Sequence, residues 1–77
     1  FVIRKNDTSV GFTTNYSKAK KIMRRLYTDF MVQNEGLYLK TIRYVNKYCV
    51  YERNPFLLSP FTERLVCNIS IDNVYSL

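Results

Sequence analysis

The chain has 77 residues, a formal charge of +6, 47% hydrophobic residues and 16% aromatic residues. That apolar content is enough to drive a core and excludes an intrinsically disordered chain, while the length allows one domain, 1–77, near the lower limit for a single unstapled core. With no histidine, the commonest general base and the usual partner of a nucleophilic Ser or Cys are missing, and two cysteines cannot by themselves complete a four-ligand zinc site.

Charge is unevenly placed. Residues 1–54 carry eleven basic and four acidic side chains, a balance of +7, whereas Arg64, Glu63 and Asp72 leave residues 55–77 at −1. Any electrostatic footprint is therefore expected in the first two thirds of the chain.

Taken from the N-terminus, Phe1, Val2 and Ile3 are β-formers. The cluster Asn6, Asp7, Thr8 and Ser9 is rich in turn residues, and the run 10–14 resumes strand-like character. A first hairpin is predicted.

Residues 17–34 read as an amphipathic helix. Ala19, Ile22, Met23, Leu26, Tyr27 and Phe30 share one face at 3.6-residue periodicity. Lys18, Lys20, Lys21, Arg24 and Arg25 occupy the remainder, with no acid before Asp29. The helix is expected to start at a cap region spanning Asn15 to Ser17, where the Ser17 hydroxyl can accept from the early backbone amides, and Gly36 is suited to the left-handed conformation past the C-terminus. Three lysines at the positive end of the helix dipole are unfavourable, each by about 0.3 kcal/mol or more at low salt. A local choice that costs stability marks this face as a candidate contact surface.

Residues 37–45 and 48–53 read as two further strands. A two-residue turn at Asn46 and Lys47 would pair Val45 with Tyr48, Arg43 with Val50 and Thr41 with Glu52. The second face of this hairpin then carries Tyr38, Lys40, Ile42, Tyr44, Cys49, Tyr51 and Arg53, and the pattern does not say which face meets the helix. Pro55 ends the hairpin, residues 56–58 form an apolar connector, and Ser59 followed by Pro60 suggests one helical turn near residues 60–64. Leu65, Cys67, Ile69 and Ile71 alternate with more polar positions, which predicts a strand over 65–71. Asp72 and Asn73 are then a turn, and residues 74–77 a tail or short strand. The expected fold is α+β, in the order β-β-α-β-β-β, with one amphipathic helix packed on an antiparallel sheet.

No catalytic, cofactor or metal residues are assigned. The six carboxylates are scattered, and the two glycines cannot build a phosphate-cradling loop. Cys49 and Cys67 fall in strand-like apolar settings that suit inert core thiols. No signal-peptide or membrane-spanning pattern is visible, so a cytoplasmic protein is expected. Three N-glycosylation acceptor patterns, at Asn6, Asn15 and Asn68, are the one point favouring secretion.

The remaining reading is a small basic non-enzymatic binding protein. Lys18, Lys20, Lys21, Arg24 and Arg25 would meet nucleic-acid phosphates, and Tyr38, Tyr44 and Tyr51, interleaved with Lys40 and Arg53, would stack on bases. Tyrosine is also simply a favoured strand residue. The alternative is a viral or phage accessory protein or inhibitor, acting in the host cytoplasm, whose basic helix binds an acidic surface of a host protein. Lys, Asn, Tyr, Ile and Phe make up 30 of the 77 residues, a bias associated with A/T-rich coding DNA in such genomes. A homo-oligomer formed through an unpaired sheet edge is a third expectation.

Overall fold

The computed structural model describes residues 1–53 and 63–73. Five strands and one helix are present among them: β1 (Val2–Lys5), β2 (Thr8–Phe12), α1 (Tyr16–Gln33), β3 (Leu39–Tyr44), β4 (Lys47–Glu52) and β5 (Arg64–Asp72). The strands form one antiparallel sheet in the order β2-β1-β5-β4-β3, and the helix packs against one of its faces. This is the α+β, β-β-α-β-β-β architecture that the sequence pattern predicts. The expected connector at 56–58 and tail at 74–77 lie outside the described residues, as does most of the helical turn expected near 60–64, where Arg64 already opens β5.

The first hairpin is closed by Asn6 and Asp7, both in the left-handed region at φ 52° and 66°. Two positive φ values define a type I′ turn, whose twist matches that of the paired strands, and short polar side chains tolerate it best. One extra residue in β2, Val10, bulges between the pairs Ile3–Gly11 and Arg4–Ser9. β1 then pairs along its other edge with β5, placing Ile3 beside Ile71 and Lys5 beside Ile69.

The core forms where the apolar face of α1 meets the middle of the sheet. Ile3, Ala19, Met23, Val50, Cys67 and Ile69 are essentially inaccessible, and Ile22, Leu26, Tyr27 and Phe30 pack around them. Every apolar helix position picked out by periodicity therefore contributes. Burial of this face, rather than intrinsic propensity, supplies most of the stability of a helix this short.

Four local expectations are corrected. Within the expected Asn15 to Ser17 cap region, Asn15 and not Ser17 supplies the accepting side chain: its backbone is extended and its Oδ1 accepts from the Lys18 amide at 3.2 Å. Ser17 instead lies inside the first helical turn, where its hydroxyl is exposed. The second hairpin closes with Tyr44 opposite Lys47, so Val45 and Asn46 form the turn and Arg43 pairs with Tyr48. Tertiary contacts select this register over local turn preference. The Asn46 carbonyl accepts from the Ile71 amide at 2.8 Å, its side chain accepts from the Tyr16 hydroxyl, and the Lys20 ammonium donates to the Val45 carbonyl. Because the slip is two residues, each side chain keeps its face.

The third correction concerns Leu65. A bulge at Val66 shifts the β4–β5 register, so that Cys67 pairs with Val50 but Leu65 pairs with Tyr51. Leu65 thereby leaves the apolar row of Cys67, Ile69 and Ile71 and is 48% exposed. Finally, Asp72 belongs to β5 rather than to a turn, paired with Val2 and bridged to Arg4 at 2.9 Å. At the end of α1, Gly36 does take a positive φ of 93°.

Candidate basic helix surface

The helix displays its cations because its opposite side is fully committed to the core. Ala19 and Met23 point into the sheet, so Lys18, Lys21, Arg24 and Arg25 are left on the solvent side, all exposed. Over the seven residue steps from Lys18 to Arg25 the helix rises about 10 Å, which concentrates four positive charges on a short track. None of the four has an ion-pair or hydrogen-bond partner for its side chain among the described residues.

Most other cations are engaged. Arg4 pairs with Asp72, Arg64 donates to Glu52 at 3.0 Å, and Lys40 and Arg53 both approach Glu63, at 3.6 and 4.0 Å. The Lys5 ammonium lies over the Phe30 ring. Lys20, grouped with the helix cations by sequence, separates from them: it is half-buried, lies over the Tyr16 ring and is bound to the Val45 carbonyl. Its role is to hold the β3–β4 turn against the start of α1, which also offsets part of its unfavourable position near the helix dipole.

The three tyrosines go elsewhere. Thr41 and Arg43 of β3, and Tyr48 and Val50 of β4, face the helix, so the alternation of the pleat turns Lys40, Tyr44 and Tyr51 to the opposite face of the sheet. Tyr44 is 57% exposed and Tyr38, immediately before β3, is 58% exposed, whereas Tyr51 is half-buried. The basic track and the tyrosines therefore belong to two opposed surfaces and cannot grip one short strand together. On the tyrosine side, Lys40 and Arg53 are drawn to Glu63, so that surface is the less positive of the two.

A feature missed in the sequence lies at the junction of α1 and β3. Tyr27 and Tyr48 meet edge to face with centroids 5.0 Å apart, and the Arg43 guanidinium carbon lies 5.6 and 5.9 Å from their ring centres. The residues are 16 and 5 positions apart from Arg43 in sequence, and no local pattern brings them together. The hairpin register and the helix position do.

The thiols are isolated from each other. Both are free and buried, but Cys67 belongs to the core under α1 while Cys49, paired with Ile42 and Asn68, falls on the other face of the sheet. Burial raises the Cys67 thiol above its ordinary pKa, with the nearby Lys5 charge acting in the opposite sense. Among the described residues no three Cys, Asp or Glu side chains converge in a way that could hold a metal ion, and no helix is long and apolar enough to cross a membrane.

Comparison with known proteins returns no match to a family model, to a curated protein or to a solved structure.

Proposed function

We propose that this is a small, non-enzymatic, cytoplasmic nucleic-acid-binding protein that contacts phosphates through the outer face of α1. The observation that carries the reading is the contrast among cations. Lys18, Lys21, Arg24 and Arg25 are exposed and unpaired among the described residues, while Arg4, Lys40, Arg53 and Arg64 lie beside carboxylates and Lys5 and Lys20 are held against a ring or a carbonyl. Unpaired cations on one rigid element lose no partner when they meet phosphates, and each contact releases condensed counterions. Contacts to phosphates carry no sequence information, so binding of this kind is sequence-tolerant.

The test is a salt titration of binding to mixed-sequence DNA and RNA. Affinity is expected to fall steeply between about 50 and 200 mM salt, with a slope set by the number of phosphates contacted. Arg24→Glu combined with Arg25→Glu is expected to abolish binding. Absence of salt-dependent binding, together with retention of a single host protein from nuclease-treated lysate, would replace this reading with contact to an acidic protein surface.

A further inference from the structure

We infer that the phosphate-contacting surface extends beyond α1 onto β3, with Arg43 as a nucleic-acid ligand whose orientation is set in advance by Tyr27 and Tyr48. The inference rests on the function proposed above and adds a residue that lies outside the basic helix.

Arg43 is exposed, and among the described residues it has no carboxylate partner. Its guanidinium is instead placed against two aromatic rings. Attraction to the faces of aromatic rings uses none of the guanidinium N–H donors, which stay available for bidentate contact with a phosphate. The rings are themselves fixed. Tyr27 packs against the core from α1 and its hydroxyl is hydrogen-bonded to Thr41, while Tyr48 stands opposite Arg43 in the β3–β4 ladder. A preorganised donor loses less side-chain freedom on binding than a freely rotating one.

Position adds to the argument. Lys20 and Tyr27 both reach the β3–β4 hairpin, so the flank of α1 that they share with Arg24 borders this hairpin. Arg24 is three residues from Tyr27, adjacent on the helix surface, and Arg43 rests on the Tyr27 ring. A backbone following the exposed cations of α1 therefore meets Arg43 on leaving the helix. Lys40, only three residues away on the same strand, faces the opposite side of the sheet and is attracted to Glu63.

That pair gives the experiment: Arg43→Gln and Lys40→Gln each remove one positive charge from β3, on opposite faces. Fluorescence anisotropy with labelled mixed-sequence DNA and RNA oligonucleotides would be followed across salt concentrations. Arg43→Gln is expected to weaken binding about tenfold at low salt and to reduce the slope of log K against log salt by about one. Lys40→Gln should leave the slope unchanged. Arg43→Lys, which keeps the charge but not the planar, two-pronged donor group, should keep the slope while losing part of the affinity, and serves if the Gln variant does not fold. Equal losses for the Arg43 and Lys40 variants, or no loss at Arg43, overturn the inference while leaving the helix surface intact. Absence of salt-dependent binding by the unmodified protein overturns both.

Discussion

Tyr27 and Thr41 join α1 to β3 through a hydrogen bond of 2.9 Å between their hydroxyls. The helix otherwise packs chiefly over the middle of the sheet, around Ile3, Ile69 and Ile71. This bond therefore fixes the flank of the helix that overhangs the second hairpin, and with it the seat of Arg43. Tyr27→Phe removes the bond and is expected to lower stability by about 1 kcal/mol in urea denaturation. In a double-mutant cycle with Thr41→Val, the two losses should fall short of additivity by about the same amount. Strict additivity would show that the hydroxyls are not coupled.

The start of α1 gives a second prediction. Because the Asn15 side chain caps the helix, Asn15→Ala should cost about 1 kcal/mol in thermal or chemical unfolding. Ser17→Ala should change stability by less than about 0.5 kcal/mol, since its exposed hydroxyl is outside the cap. The reverse ranking would restore Ser17 as the cap.

At the first hairpin, Asp7 adopts φ 66° without being glycine. Replacing it by a residue with no Cβ relieves the left-handed strain and creates the preferred type I′ sequence, so Asp7→Gly is expected to stabilise the protein by about 0.5 kcal/mol. A fall in melting temperature would mean that Asp7 makes a compensating contribution through its side chain.

The Cys67 thiol predicts a pH dependence. Burial raises its pKa in the folded state, so the unfolded thiol ionises first as pH rises. Where the unfolded state holds fewer protons than the native state, stability falls with increasing pH. The contribution is complete below the unfolded value of about 8.5 and is lost as pH rises through the higher folded value. Compared in urea between about pH 7 and pH 10, the wild type should therefore lose stability faster than Cys67→Ser, narrowing the gap between them. A constant gap over that range would contradict a raised thiol.

Much of the architecture was legible because its signals are local. The six apolar positions of α1, a first-hairpin turn within Asn6 to Ser9 and the alternation of Cys67, Ile69 and Ile71 follow from side-chain period and backbone tolerance and appear in the structure, although the turn is confined to Asn6 and Asp7, and Thr8 and Ser9 already belong to β2. The exposure of Lys18, Lys21, Arg24 and Arg25 follows from the same period, since a helix with one buried face must present the other.

What local pattern could not supply was the meeting of distant segments. The register of the second hairpin depends on Tyr16, Lys20 and Ile71 holding its turn, and the displacement of Leu65 depends on a bulge set by pairing with β4. The same contacts withdraw Lys20 from the basic face. They also set the tyrosine surface on the far side of the sheet and seat Arg43 on Tyr27 and Tyr48. Sequence by itself determined one helix on an antiparallel sheet and a basic outer face, because periodicity is a property of neighbours along the chain. Only the tertiary structure decided which cations remain unpaired and which aromatic rings they lie against, because those energies depend on groups that come together solely on folding.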